Sequence, residues 1–558
     1  MVNVKGGVEK KLAKLRNDMI FKWFAIPYSI LVIVVAGACY NLFAYFQQIG
    51  AAQGYGSTTM TVIKYTVLFG YYLGLIPGYL VRTLSTSLAF LVAAVLSLVS
   101  FTALGYLANN GEGSGLEWCI MIFFLFTGSM SGSIATIAGI VTPVKSFPKM
   151  ASILIIVILI AYYKIAPYFE FSMRSGFLED PDLMWYFIGI GIIQAIVFAG
   201  AAFIIQEIDL GGAIENVIKD ADRVGLLAYV LLEVIMMTAF YIVALIYENW
   251  FIGAIILLAF IFLNFLAIGG AFSLVYGKAK SAGLKAAQIN REVRKEMSFE
   301  EMLGQPKYLC LAFSSMLIIG TSSTFSFNTF QIAFADGQID QADHYLDTFW
   351  GADMFGRIVG GLLAYFLINS INGYKWAIGA AMSVALGFGL ALLTEPVSGI
   401  FLYIAVILIG LGTGVFWVIV PSIVMEDAGE ENFGLNWGLT LFLNALGMLI
   451  FGELFDYIYE WQAGGEKCSG GNCVLIQFIT FGILALIAAG LCYYALSEDE
   501  KQGNKKGKKG KDGNRGAKDR GRSKDKGRKG DKKKSKSKSK SKSKSKSKGR
   551  KSRSKGRK

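Results

Sequence analysis

The sequence is poor in the residues that most polar chemistry relies on. It contains one histidine, His344, in 558 residues, so imidazole-based catalysis and His-rich metal sites are nearly excluded. Its six cysteines are scattered, and only Cys468 and Cys473 are close neighbours. There is no Walker A sequence and no Gly-x-Ser-x-Gly elbow, so nothing supports energy input from nucleotide hydrolysis. No nucleophile–base pair or metal cluster stands out, and neither an enzyme nor a cofactor is expected. A cleavable signal peptide is also missing: the basic N-terminus runs into an apolar stretch that is too long and lacks a small-residue cleavage site.

Apolar surface, by contrast, is abundant, at 54% of residues. A single soluble core cannot bury that much, and long apolar runs point instead to a polytopic membrane protein. Fourteen segments can be placed: 24–46, 61–80, 86–107, 118–141, 150–169, 185–205, 226–247, 251–274, 307–330, 349–368, 375–394, 398–421, 433–455 and 474–496. Each is about 20 residues, the length a helix needs to cross the hydrocarbon. Several are dense in Gly, Ala, Ser and Thr, as close-packed bundle helices require.

The net charge of +14 conceals two opposite regions. Residues 501–558 hold 30 Lys and Arg against 4 Asp, leaving 24 basic and 36 acidic residues in the rest. With the N-terminus inside, 19 of those 24 basic residues fall in cytosolic segments, as the positive-inside rule requires. Lys64, Lys164, Arg174 and Lys467 go to the outer side, and Arg357 alone is left within the membrane. An even number of spans also returns the C-terminus to the cytosol. The expected organisation is a cytosolic N-terminus (1–23), six helices (24–205), an inserted pair (206–274), a basic cytosolic connector (275–306), six more helices (307–496) and a tail (497–558). Such a protein sits in the plasma membrane or an organelle membrane, with the lipid bilayer as its surroundings.

The tail's Lys-Ser repeats offer no apolar groups to offset ordering entropy, so it is expected to be disordered. On a polytopic protein, attraction of residues 501–558 to anionic lipid headgroups is a better reading than nucleic-acid binding. A solvated tail without a specific partner is the bland alternative. In the outer loop, Cys468 and Cys473 flank two glycines and can close a disulfide if that side is oxidising; two free thiols are the alternative. The other four cysteines are read as packing residues. The glycines of IGLGTG (409–414) lie in an apolar helix and are read as packing positions rather than a phosphate loop.

The segment 349–368 is almost wholly apolar yet carries Asp353 and Arg357. At i and i+4 the two share a helix face, with the acid on the favourable N-terminal side. At ~1.5 Å per residue Arg357 lies ~12 Å from the outer end, near mid-membrane. A charge there costs at least ~2.5 kcal/mol, so it should face a partner or a wet cavity. In the functional reading Arg357 attracts an anionic substrate while Asp353 carries a proton. In the bland one the pair only fixes helix packing. Gly356 and Gly360 have the spacing that allows a neighbouring helix to approach closely. Tyr40, Asn41, Asn328 and Gln331 are further candidates to line a cavity. Glu233, in the inserted pair, reads as a structural or lipid-facing group made neutral by protonation.

Several motifs, in order, resemble one family. AGACYNLFAYFQQIG (36–50) is similar to its first helix, and SFPKM (146–150) to its Asn-Phe-Pro turn, with Ser146 in place of Asn. GTSSTFSFNTFQI (320–332) keeps Asn328 and Gln331 at the family spacing, with Phe327 where Asp is usual. The run 407–434 carries Trp417, Pro421 and Glu426 of the twelfth-helix signature, and CSGGNC resembles a Cys-rich outer loop. Together they resemble the nodulin-like branch of the major facilitator superfamily, related to the monocarboxylate transporters. Two extra central helices are a feature of that branch. Two usual acidic residues are missing, with Arg82 and Tyr365 near their places. The monocarboxylate transporters have a similar Asp and Arg in the equivalent helix, whereas the nodulin-like branch more often has Asn at the Asp position.

The resemblance implies an all-α major facilitator fold, two six-helix halves plus the inserted pair, working by alternating access. The small-molecule substrate expected is an organic anion of monocarboxylate type, moved with protons. An uncoupled facilitator of a neutral solute is one rival, and a non-transporting scaffold acting through the basic tail is another.

Overall fold

The computed structural model describes residues 2–37, 57–110, 115–164, 166, 183–208, 212–246, 250–283, 297–367, 371–393, 399–463, 468 and 470–525. Among these, all regular structure is helical. The helices are α1 (Val2–Ala36), α2 (Ser57–Tyr72), α3 (Leu75–Thr83), α4 (Thr86–Asn110), α5 (Gly115–Ser146) and α6 (Lys149–Ala161). They continue with α7 (Leu183–Ile204), α8 (Gly212–Ile246), α9 (Trp250–Gly283), α10 (Phe299–Leu303), α11 (Pro306–Phe327) and α12 (Thr329–Ala335). The last are α13 (Ala342–Leu367), α14 (Gly373–Ala391), α15 (Ile400–Ala428), α16 (Phe433–Ala463) and α17 (Asn472–Asp525). Residues 1–499 form one compact unit and residues 500–558 a second.

Ten of the described helices are long and apolar enough to cross a membrane, and two shorter apolar stretches accompany them. The chain is an integral multi-pass membrane protein. Its polarity is that of a bundle in lipid: Ser129, Ser131, Ser133 and Thr136 of α5 are buried, while Phe123, Ile196 and Phe203 point outward. Small hydroxyl residues inside let backbones approach, and large apolar ones meet hydrocarbon at no cost.

Each of the fourteen predicted segments overlaps a helix, with local departures. The segment 61–80 is split between α2 and α3, because Pro77 cannot donate the amide bond that would close on Leu73. At the break, Gly74, which precedes α3, and Gly78 within α3 meet Gly438 and Gly434 of α16, where a Cβ on Gly74 would stand 2.8 Å from the Gly438 carbonyl oxygen. The segment 150–169 forms a helix only to Ala161 and then tightens into a 3-10 turn, Tyr162–Lys164. The segment 307–330 breaks at Asn328, which leaves helical geometry at φ −109°, ψ 18°.

At both termini the helices run past the predicted segment ends. Residues 2–23 are the opening turns of the same helix as the first span, and Lys22 is fully buried. The stretch expected to be disordered from 497 continues α17 as far as Asp525. A helix already formed in the preceding apolar segment supplies the nucleus, so extension adds hydrogen bonds without a second nucleation cost. Residues 526–558 lie outside the described residues.

Helix α9 packs on α1 and on α8, and α8 packs also on α6. The Lys22 ammonium on α1 lies 2.6 Å from Asp222 on α8 and over the Phe147 ring. The next residue, Arg223, donates to the Tyr365 hydroxyl on α13, the position where the family resemblance would place an acid.

Candidate functional site

Asp353 and Arg357 lie on one face of α13, both almost wholly buried. The guanidinium engages the carboxylate twice, Nε to Oδ1 at 2.7 Å and Nη2 to Oδ2 at 3.1 Å. A bidentate fork of this kind fixes both direction and distance. The third nitrogen, Nη1, donates to the Ile160 carbonyl in the last turn of α6 at 2.9 Å. The flat face of the guanidinium covers the Trp417 ring of α15, 5.1 Å from its centroid, which suits a poorly hydrated cation.

A third charge completes the arrangement. The Lys164 ammonium, at the end of the 3-10 turn after α6, stands 2.8 Å from Asp353 Oδ2. One carboxylate is thus shared by two cations, and the cluster's formal charge is +1. The excess positive charge sits at the C-terminal end of α6, whose last carbonyls carry partial negative charge and favour it. The sequence places Lys164 on the outer side and leaves Arg357 as the sole intramembrane base; the structure buries the Lys164 ammonium against the same carboxylate that Arg357 holds. Lys164 was legible in one respect, since it falls inside the predicted segment 150–169. An apolar count over that segment absorbs a single Lys without registering it as buried.

Glycines set the height of the cluster. On α13, a Cβ on Gly356 would lie 2.4 Å from the Leu411 carbonyl oxygen, and one on Gly360 2.5 Å from a Val415 methyl. On α15, Gly410 faces the Phe349 carbonyl and Gly414 the Asp353 carbonyl, where a Cβ would fall at 2.0 Å. Each helix therefore offers a Gly-x-x-x-Gly stripe to the other, and their backbones touch at the turn carrying Asp353.

Lys164, Asp353 and Arg357 line a cavity with Tyr72, Tyr163, Ser323, Ser326, Thr413 and Trp417. The space open to a water centre is about 20 Å³, room for roughly one water. The polar wall from α11 comes from Ser323 and Ser326. The predicted Asn328 and Gln331 are not among the lining residues: Asn328 sits at the helix break and donates to the Thr324 carbonyl at 3.0 Å. Tyr40, Asn41 and Cys39 lie outside the described residues.

The remaining candidates stand apart from this cavity. Cys468 and Cys473 are joined in a disulfide, in a loop held to the end of α12 by a 2.7 Å bond from the Gly470 amide to the Ala335 carbonyl. Cys119, Cys310 and Cys492 are free, with Cys119 exposed and Cys492 buried. Glu233 is buried among α8, α9 and the 3-10 turn and accepts from the Tyr162 hydroxyl, so the lipid-facing alternative is excluded. Among the described residues no three His, Cys, Asp or Glu side chains gather as a metal site would need.

Two family models match the chain in succession: "Nodulin-like" over residues 22–269, and "NFD4, C-terminal domain" over residues 294–500. Among characterised sequences, a probable transporter mch1 of Emericella nidulans is 33% identical over 105 residues, 19% of this chain and 17% of the relative. The probable transporter MCH1 of Saccharomyces cerevisiae is 25% identical over 199 residues, 34% of this chain and 41% of the relative. These matches therefore span less than half the length of the relatives. Among solved structures, an Escherichia coli fucose:proton symporter superposes with a TM-score of 0.44 at 14% identity, covering 85% of this chain and 99% of that one. A likeness of that degree says nothing about what this chain carries.

Proposed function

We propose, from the premise that the chain belongs to the nodulin-like family, that it is a secondary transporter of the major facilitator superfamily. Its cargo is a small organic monoanion, taken up with one proton at Asp353, Arg357 and Lys164. The observation that carries this reading is the sharing of one buried carboxylate between two cations. When Asp353 is ionised it occupies both bases, and no free positive group faces the cavity. Protonating Asp353 releases Arg357 and Lys164, and an entering carboxylate can take over the fork. Proton and monoanion together leave the cluster at +1, so the loaded and empty forms carry the same charge. Transport through a medium that penalises unbalanced charge favours such a cycle.

In this reading residues 24–205 and 307–496 are the two moving halves, with 206–274 inserted and 275–306 connecting them. The Lys164–Asp353 contact then spans the seam between the halves, as does the 3.3 Å pair of Lys145 with Glu431. Alternating access would open one end at a time, and the near-absence of free volume corresponds to a closed intermediate. The cytosolic placement of both termini, and of the polybasic tail near anionic lipid, belongs to the same proposal.

Uptake of a panel of organic acids, sugars and amino acids into proteoliposomes, with and without an inward proton gradient, tests it. Proton-stimulated uptake of a monocarboxylate, abolished by Asp353→Asn and by Arg357→Gln, is the expected result. Gradient-independent uptake of a neutral solute would overturn it in favour of a facilitator. Absence of any transport, with membrane binding lost on deleting residues 501–558, would instead support a scaffold.

A further inference from the structure

Glu233 lies within the apolar stretch 220–240 of α8, and three polar side chains surround it. Tyr162, from the 3-10 turn after α6, donates its hydroxyl to Glu233 Oε2. Tyr229, one turn earlier on α8, donates at 2.5 Å to the Asn264 side-chain oxygen on α9. The Asn264 amide donates at 3.1 Å both to the Tyr162 hydroxyl and to the Phe260 carbonyl. Glu233 Oε1 has no partner.

Among the described residues, no cation faces this carboxyl from the three elements around it. On α9 the group presented is Asn264, on α8 it is Tyr229, and on the 3-10 turn it is Tyr162. Lys164, two residues beyond Tyr162, is committed to Asp353. The next charges along α8, Asp222 and Arg223, are ten or more residues away, about 15 Å along the helix, and are held by Lys22 and Tyr365. A buried carboxylate needs several donors or a counter-ion to remain ionised, and this one is met only by neutral side chains. The surroundings suit a carboxylic acid.

We infer that Glu233 is a proton-binding site built by the inserted helix pair, and that its proton sets the position of Lys164 through Tyr162. The physical link is short. Tyr162 and Lys164 belong to one three-residue turn, so a displacement of the tyrosine displaces the ammonium. With Glu233 ionised, the carboxylate draws the Tyr162 hydroxyl toward α8. With Glu233 protonated, the pull weakens and Tyr162 is shared with Asn264, leaving Lys164 free to follow Asp353 or an incoming anion. The proton comes from water and returns to water; the only bond made or broken is the carboxyl O–H. The link to Lys164 rests on the proposed role of that residue, whereas the protonation of Glu233 does not.

Infrared difference spectroscopy on the full-length protein in lipid nanodiscs reads the proton directly. Wild type is expected to show a carboxylic-acid C=O band that titrates with pH. The band should be lost in Glu233→Gln, shifted in Tyr162→Phe and retained in Asp353→Asn. A spectrum unchanged by Glu233→Gln overturns the assignment. Uptake measured across pH tests the link: Glu233→Gln should retain substrate exchange and shift the acid dependence, and an unaltered profile overturns it. A wild-type protein that transports nothing removes the transport reading and its link, while the band lost in Glu233→Gln still decides the proton site.

Discussion

The Lys164 ammonium and the Asp353 carboxylate meet at 2.8 Å across a wide separation in the chain, joining the end of α6 to the middle of α13. Asp353 holds Arg357 at the same time, so removing the acid leaves two cations unbalanced in a place that water barely reaches, whereas removing either cation leaves a neutral pair.

Stability should report that imbalance. Asp353→Asn leaves two buried cations facing each other, and Arg357→Gln leaves Lys164 as the sole partner of the acid. Breaking a buried pair from one side costs about 3–5 kcal/mol, so Asp353→Asn should unfold at clearly lower temperature, and Arg357→Gln, which keeps a neutral Lys164–Asp353 pair, by a smaller margin. The double variant Asp353→Asn/Arg357→Gln buries one unpaired cation instead of two and should recover part of the loss seen in Asp353→Asn. Thermal unfolding in detergent, followed by size exclusion, measures all three, and additive losses would show that the pair is not coupled.

Lys164→Gln probes the substrate rather than the fold. Arg357 keeps its bidentate contact, so stability should change less than in the pair variants. A charge-assisted bond to the bound anion is lost, worth about 1.5–3 kcal/mol, which corresponds to a rise in KM of about tenfold or more. Initial rates of uptake at varied substrate concentration give the value. An unchanged KM would place Lys164 outside the substrate contacts.

Gly414→Ala tests the close helix contact. Its methyl would fall 2.0 Å from the Asp353 carbonyl oxygen and 2.8 Å from the Arg357 amide nitrogen, so α13 and α15 must separate. A cost of about 1–3 kcal/mol or more and a large fall in transport are expected. Gly389→Ala on α14, with nothing within 4 Å, is the control and should be neutral or slightly stabilising.

At the start of α13, outside the span, Asp347 should give the protein a pH signature. Burial, and then repulsion from Asp343, holds its carboxyl above the usual carboxylate range, with His344 opposing. The folded state therefore binds this proton more tightly than the unfolded chain. The stability it contributes is fully present below the unfolded value and is lost as pH rises through the raised one. Asp347→Asn should remove that loss, so its melting temperature should exceed that of wild type at neutral pH and converge with it in acid. Unfolding curves at several pH values check this.

Much of the architecture was written along the chain. Apolar runs of span length, interrupted by charged and glycine-rich stretches, require helices in a bilayer because no other element satisfies its own backbone there. The Asp353–Arg357 pair was equally legible, since two charges four residues apart must share a helix face whatever surrounds them. Contacts between distant segments were not. Lys164 looks like any outer-side cation until α6 ends at Ala161 and its 3-10 turn carries the ammonium to Asp353. Ser323 and Ser326, rather than Asn328 and Gln331, line the cavity, because which face of α11 meets it is set by helix packing that a hydropathy pattern does not encode. Glu233 reads from sequence as a lone acid in lipid, and only the packing of α8 against α9 and α6 gives it Tyr162 as a donor. Which segments enter the membrane, and which of them carry charge, could be read from residue order alone, because periodicity and transfer energy are local properties. Which charges meet could not, because burial and pairing depend on helices that the chain brings together only on folding.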